Sequence, residues 1–587
     1  MLISALDDYY DILSADGKVA ENGFCFFDVT HMIMLKPDGR LADIIDVRRT
    51  VKISKDKERL VQKTICLPER TQKPGIDFNI AEHRPLYIFG LNRDSKTGKF
   101  TDEDKTCKAQ KSHDCFVKGT LEYTEGMTSE IVTALRNFCN RWNPKDETEN
   151  VLLAQLGKDY DTAKCCFALD GHPELLVSDI KGEVAQKVRR SQNKNSVPNG
   201  ICAVTGKKDT IARLHNKIKG VRGAQASGGS MVCFNNSAEE SYGKEQSYNS
   251  SVSETVMKRY TASLNTLLAD ENHRMYLDDM TIVFWSMNKF DGKENDMFKA
   301  VMGESSDDGS DNMDIGNTIK NAVNALCLGK TIDYYAVDID ANTDFYVVGL
   351  SPNVSRISER FVCRKKFGEI FTNTLKHQVD MMLGEEYKQI SMWRLFKELK
   401  LENSSNDKVP QSIISAMFTA ILNGTKYPDT LLSSAVRRVK ADRKVNYIKA
   451  GIIKACINRK MRINKEKEEI GMALDINNKN QAYLCGRLFA VLERIQNNAS
   501  GGNLNRTIKD AYFSSACSKP SSVFPKLVKL AQYHLIKDDY ALNNKKLLGE
   551  IIDGLNNEFP QTLSLNEQGK FIIGYYQQTE EFFKKSK

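Results

Sequence analysis

The sequence predicts an α+β protein, with a strand-rich amino-terminal body followed by an all-helical carboxy-terminal bundle. Three observations carry that expectation. Short apolar runs bounded by turn residues crowd the first 130 residues. From about residue 365 onward, apolar side chains recur at helical spacing and are interrupted only by polar breaks. Residues 482–495, AYLCGRLFAVLERI, are amphipathic in the way a bundle helix must be.

Taken in order, residues 24–29 and 32–35 read as strands ahead of KPDGR at 36–40, a turn with Pro and Gly in the expected places. Residues 86–91, LYIFGL, read as a further strand after the loop 70–79. Residues 128–142 read as a helix, and 165–172 with 175–179 as a strand pair leading into a polar, basic stretch at 187–200. Helical spacing returns at 252–269 and 316–329, with 304–314 between them as a solvated linker. Residues 333–341 and 345–351 read as a hairpin turning at Asn342, Thr343 and Asp344. Ser351, Pro352 and Asn353 then read as a helix entry, placing Arg356 and Arg360 four apart on one helix face. Breaks at 403–410, 477–480 and 498–503 separate the later helices. The expected domains are an α+β region 1–364, a basic helical region 365–471 and a bundle 472–587.

Composition narrows the class. In 587 residues, 41% hydrophobic and 27% charged side chains describe a soluble globular chain with ample core. The sequence contains no run of eighteen apolar residues, and Asp7 and Asp8 stand where a signal peptide would carry lysine, so a cytoplasmic protein is expected. The 14 cysteines include no CxxC pair, and Cys107, His113 and Cys115 have the wrong spacing for a zinc knuckle. No metal or other cofactor is expected, and the thiols should be reduced.

The sequence shows no phosphate loop GxxxxGK[ST], HExxH, GxSxG or dinucleotide fingerprint. No catalytic residue is assigned, and a non-enzymatic chain is expected. The alternative is a metal-dependent nuclease using Asp338 and Asp340, which alternate on an expected strand and would share a face.

Residues 220–246, GVRGAQASGGSMVCFNNSAEESYGKEQ, offer backbone N–H groups, hydroxyls and amides at close range behind a basic lead-in. Those groups suit phosphates and base edges but cannot cleave a bond. The plainer alternative is a polar surface loop with glycines for turning. Asn79, Gln225 and Gln246 can each read an A·T edge, Arg70, Lys73 and Arg222 can hold a phosphate or a guanine, and Ser227 can donate to either. Charge points elsewhere as well. Residues 437–467 hold twelve Lys or Arg against Asp442 and Glu466, a local +10 that exceeds the +8 of the whole chain. Phosphate contacts are expected from Arg437, Arg438, Lys440, Arg443, Lys444, Arg459 and Lys460, and from Lys219; the alternative is a solvated helix face. Arg364, Lys365 and Lys366 form a smaller cluster.

Several long blocks, in order, resemble the large subunit of the type I-C (Dvulg-type) CRISPR Cascade. They are RLHNKIKGVRGAQASGGS (213–230), CFNN (233–236), ESYGKEQ (240–246), FYVVGLSPNVSRISERF (345–361), YLCGRLFAVLE (483–493) and FPKLVKLAQYHL (524–535). The resemblance implies a non-catalytic subunit of an RNA-guided antiviral complex, lying beside the 5′ handle of the guide RNA. Such a subunit recognises the protospacer-adjacent motif in double-stranded DNA, helps unwind the duplex, stabilises the displaced strand and recruits the helicase–nuclease. Its implied partners include the backbone and crRNA-processing subunits of Cascade. A small subunit made from an internal start is also implied, at Met472 or, as runner-up, Met461. The same resemblance places motif reading in the loops 70–79 and 220–246.

Overall fold

Apolar runs with period two build the first part of the chain. The computed structural model describes residues 2–584 except 22, 55–56, 70–74, 81, 103–106, 193–198, 304–310, 331, 333–338, 385, 402–406, 467–468, 502–503, 538–540 and 557. These fall into two units, Ile3–His215 with Phe234–Ser263, and Asn216–Cys233 with Leu264–Lys587. The architecture is α+β.

In the first unit, α1 (Leu2–Ala15) buries Leu6, Tyr9 and Leu13 at helical spacing. Next come β1 (Phe24–Val29), β2 (His31–Leu35), β3 (Leu41–Asp46), the hairpin β4 (Arg49–Ser54) and β5 (Lys57–Val61), and β6 (Lys63–Pro68), which pairs antiparallel with β1. After them lie α2 (Pro85–Phe89), the short pair β7 (Asn92–Arg93) and β8 (Phe100–Thr101), α3 (Lys108–Tyr123) and α4 (Glu130–Arg141). The strands β9 (Cys165–Leu169) and β10 (His172–Leu176) precede α5 (Glu183–Gln192), the short pair β11 (Gly200–Ile201) and β12 (Lys208–Asp209), and α6 (Glu254–Ala269). A four-stranded sheet runs in the order β10-β9-β2-β3, and β2 lies parallel to β9. All five residues of each of these two strands are buried, as a parallel pair covered on both faces requires.

Two elements here depart from the sequence expectation. The run LYIFGL is α2 rather than a strand, because Pro85 starts a helix well and Gly90, at φ 68°, ends it in the left-handed region. A five-residue apolar run has no period long enough to distinguish the two. The helix α3 also falls in the first 130 residues, expected to be strand-rich, at a place where no element was assigned.

The second unit holds an antiparallel sheet in chain order, β13 (Arg274–Leu277), β14 (Met280–Ser286), β15 (Asp344–Asn353) and β16 (Arg356–Lys366). Helices α7 (Lys293–Val301) and α8 (Asp311–Cys327) lie between β14 and β15 in sequence. The expected helix entry at Ser351–Asn353 is instead the end of β15, whose Asn353 pairs with Arg356 across a two-residue turn. Arg356 and Arg360 therefore lie on a strand. Most of the expected first hairpin arm, 333–338, lies outside the described residues, as does most of the linker 304–314.

The remainder is helical: α9 (Phe367–Met381), α10 (Met392–Lys397), α11 (Gln411–Asn423), α12 (Asp429–Asp442), α13 (Tyr447–Ile463), α14 (Gln481–Ala499), α15 (Ile508–Ser518), α16 (Pro520–Leu535), α17 (Ala541–Gly554) and α18 (Leu565–Lys584). One apolar core runs from the β13–β16 sheet through α9–α13 and into α14–α18. Helix α13 is buried on nearly every side, with Gly451 against the Met381 carbonyl and Ile453 and Ile457 against Gly569 of α18.

Helices α14 and α18 touch backbone to backbone. A Cβ at Gly486 would lie 2.0 Å from the Phe571 carbonyl oxygen, and one at Gly574 would lie 2.3 Å from that of Tyr483. Around this crossing Phe489, Phe513, Phe524, Phe571 and Tyr575 meet largely edge to face. Alanine is otherwise preferred over glycine in a helix by about 1 kcal/mol. Gly486→Ala should nevertheless destabilise the protein, by about 3 kcal/mol or more, because backbone must move to admit the methyl group. Urea unfolding of the full chain measures this, and an unchanged or raised midpoint would contradict the close crossing.

Candidate nucleic-acid interface

The Gly/Ser loop divides between the two units after Cys233. In the second unit it is a rigid, closed loop. Ile218 and Gly229 exchange both backbone hydrogen bonds, at 2.8 and 2.9 Å, and Gly228 N–H turns back to the Gln225 carbonyl at 2.8 Å. Its open end is joined to the β15–β16 turn, where Ser230 donates to the Ser355 carbonyl and accepts from Ile357, each at 3.0 Å. Glycine is required by this closeness. A Cβ at Gly228, which has φ 87°, would lie 2.6 Å from the Ile218 carbonyl oxygen, and one at Gly229 would lie 2.9 Å from Ile357.

Ile218 and Val221 are buried as anchors, while Lys217, Lys219, Arg222, Gln225 and Ser227 face solvent. Backbone bonds position them. Lys219 N–H donates to Asn265 Oδ1 at 2.8 Å, and Arg222 N–H to Thr281 Oγ1 at 3.1 Å. The Arg222 guanidinium lies 5.6 Å from the Tyr276 ring centroid, and Lys217 Nζ reaches Ser227 Oγ at 3.4 Å. Three cations, an amide and a hydroxyl thus stand on one fixed backbone, a set that suits phosphate oxygens and base edges.

Residues 234–246 belong to the first unit. Gln246 is held from both ends: its N–H donates to Glu240 at 3.1 Å, and its Oε1 accepts from Arg213 at 2.6 Å. That acceptor is already engaged, which leaves the amide NH₂ to meet a base. Ser241 and Lys244 bridge a turn whose central residues, Tyr242 at φ 55° and Gly243 at φ 68°, both have positive φ, as a type I′ turn requires. Tyr242 is 99% exposed at its tip, an aromatic ring on a fixed support. Asn79 is half-buried in the first unit. Arg70 and Lys73 lie outside the described residues.

Sequence reading missed two residues in these regions, Tyr242 and Val354. Val354 tips the β15–β16 hairpin with φ 55° and 81% exposure. A β-branched residue in the left-handed region is strained, and an exposed apolar tip has no folding benefit to offset that strain. The only signal in the sequence is SPNVSR, which has the Asn and Ser of a turn but no glycine.

The basic segment is partly a correction. Arg459 is buried, its Nε donating to Asp380 Oδ2 at 2.9 Å and its Nη1 to the Ala420 carbonyl at 3.2 Å, with the guanidinium 4.2 Å from the Tyr427 ring centroid. Arg438 is also buried and lies 3.2 Å from Asp442, which also takes Lys449 at 2.9 Å. Lys454 donates to the Asp380 backbone carbonyl at 2.9 Å, and burial pulls its ammonium down to about 8. Arg462 pairs with both Asp380 and Glu469. Arg438, Lys449, Lys454 and Arg459 are buried and bind their own fold, so they present no charge to phosphate, while Arg462 is half exposed but held by its two carboxylates. Lys440 is half-buried on Ser518 and Gln568, and Lys460 reaches Asp429 at 3.4 Å. Arg437, Arg443 and Lys444 are exposed.

The nuclease alternative finds no support. Asp338 lies outside the described residues, and Asp340 caps its own turn, accepting from Asn342 N–H at 2.9 Å and Thr343 Oγ1 at 3.1 Å. The chain does contain one His–Asp doublet, His113–Asp114, of the kind metal-dependent phosphohydrolases use. His113 is buried against the Tyr87 carbonyl at 3.1 Å, and burial lowers its pKa. Among the described residues no group of three or more His, Cys, Asp or Glu could hold a metal ion, and no helix is long and apolar enough to cross a membrane.

The two classes of basic residue should separate in stability. Asp380→Asn leaves Arg459 buried without its counter-charge and should cost about 3–5 kcal/mol. Arg437→Ala, on the exposed face, should change stability by no more than about 0.5 kcal/mol. Chemical denaturation of both variants checks this, and similar midpoints would refute the distinction.

Comparison with known proteins bears on the whole chain. A family model described as CRISPR-associated protein (Cas_Csd1) matches residues 6–583. No curated protein matches the sequence. With the family match spanning nearly every residue, the chain belongs to the Cas_Csd1 family of CRISPR-associated proteins, the large subunits of type I-C Cascade.

Proposed function

We propose that this Cascade component recognises the protospacer-adjacent motif in double-stranded DNA, helps open the duplex and stabilises the displaced strand, without cutting either strand itself. The observation that carries this reading is the closed loop 218–229 fixed to the β15–β16 turn. It presents Lys219, Arg222, Gln225 and Ser227 on a backbone that Gly228 and Gly229 hold rigid. A rigid donor and acceptor set discriminates bases better than a mobile one, because little order is lost on binding. Base pairing with the guide RNA then reads the long target sequence, and the protein reads only a short motif and duplex shape. Arg70, Lys73, Asn79 and Gln246 of the first unit are separate candidates for motif contacts in this reading. Arg437, Arg443 and Lys444 remain candidates for phosphate contacts.

Val354 fits the opening step. Apolar side chains inserted at a base step unstack it, and a strained, exposed valine on a hairpin tip is already shaped as such a wedge. The reading also includes the guide RNA 5′ handle, the backbone and crRNA-processing subunits, a small subunit begun at Met472 or Met461, and the helicase–nuclease as partners.

Gln225→Ala should reduce discrimination between correct and incorrect flanking motifs by about 1–3 kcal/mol, measured as competing duplex affinities at one salt concentration. Equal weakening on every motif would make Gln225 a positioning residue. Val354→Gly should raise folding stability by up to about 1 kcal/mol by relieving the positive φ, while slowing strand separation in a fluorescent-base assay. Unchanged opening would remove the wedge role.

A further inference from the structure

Helix α14 carries a buried arginine whose direct hydrogen-bond partners include no carboxylate. Arg487 is 4% exposed, and its Nε donates to Gln578 Oε1 at 3.1 Å and its Nη1 to the Ile476 carbonyl at 3.3 Å. Both acceptors are neutral. Among the described residues no carboxylate lies within ion-pair distance of it, unlike Arg459, Arg462 and Lys449. A buried guanidinium so placed is costly unless an anion arrives to balance it.

The place for that anion is a cleft. Arg487 lines an open cavity of about 1030 Å³ between the loop 474–479, α14, α17 and the end of α18. Its charged lining is Lys479, Arg487, Arg494 and Lys546 against Glu550 and Glu581, a local +2. Asn477, Asn478 and Asn543 add amides, while Leu474, Ile476, Leu547 and Phe582 form apolar wall. Arg494 packs over the Phe582 ring at 4.2 Å, which brings a cation and an aromatic surface together. The loop is tied in place: Asp475 N–H donates to the Tyr483 hydroxyl at 3.1 Å, and Asn480 caps α14. Burial lowers the Arg487 pKa, and the more distant charges of Asp475 and Glu550 offset only part of that cost.

We infer that this cleft is a binding site for a nucleotide-sized, phosphate-bearing ligand, with Arg487 and Lys546 holding the phosphate and the Leu474–Phe582 wall covering the apolar or planar part. A cavity of this size and mixed character suits such a ligand and far exceeds what a lone ion needs. The ligand is either a free nucleotide or the phosphorylated end of a nucleic-acid strand, which share this chemistry. The site lies in the carboxy-terminal bundle and does not depend on the motif-reading loop.

Calorimetric titration of the full chain tests it with three probes: inorganic phosphate, adenosine monophosphate and a short single strand with and without a 5′-phosphate. Binding of adenosine monophosphate, with inorganic phosphate at least about tenfold weaker, supports the free-nucleotide form. Binding of the strand only when 5′-phosphorylated supports the strand-end form. Either affinity should fall about tenfold in Arg487→Lys, which keeps the charge but loses the planar fork, and similarly in Lys546→Ala, which is exposed and leaves the fold intact. No binding of any probe at millimolar concentration would overturn the inference. So would affinities unchanged in Lys546→Ala; a strand that binds equally without its 5′-phosphate excludes the strand-end form and, if adenosine monophosphate does not bind, overturns the inference as well.

Discussion

The buried carboxylate of Asp380 is the interaction on which the larger unit depends. It sits at the end of α9 and receives Arg459 and Arg462 from α13, while its backbone carbonyl takes Lys454. Three cations on one helix would otherwise repel each other and hold α13 at the surface. Neutralised there, the helix can offer Ile452, Ile453 and Ile457 to the core that joins the sheet to the bundle. Removing one partner of such a group costs far more than the group contributes, so the arrangement specifies a unique packing more than it adds stability.

That constraint also explains what the sequence could and could not disclose. The strands β1, β2 and β9 and the helices α4, α6 and α14 follow directly from period and flanking turn residues, whereas β10 begins three residues before the strand expected at 175–179. The basic stretch 437–467 was legible as charge but not as a surface, because apart from Asp442 the carboxylates that claim its buried cations, Asp380, Glu398 and Glu469, lie outside the segment. Only tertiary structure brings opposite charges from such separations together. The helix α2 was misread for a different reason: five apolar residues fit either period, and Pro85 with Gly90 decided the matter.

The candidate site was legible in its chemistry and not in its geometry. The glycines of 220–229 suggested turning; the structure shows that they also let the loop backbone come within contact of Ile218 and Ile357. Gln246 read as a free amide, whereas its acceptor side is occupied by Arg213. Tyr242 and Val354 carry no motif at all. Their interest lies in left-handed backbone at an exposed tip, which the sequence shows only as an absence of glycine where one would relax the chain.

The contact of Gly569 with Ile453, Ile457 and Leu432 has a consequence for any shorter product of this gene. A polypeptide beginning at Met472 would keep the α14–α18 crossing, its aromatic cluster and the cleft beside Arg487, so its inner register would be intact. It would lack α12 and α13, and the stripe of α18 that lies on them would face water. That exposed apolar stripe would be adhesive, favouring self-association of the fragment unless it is seated on another apolar face.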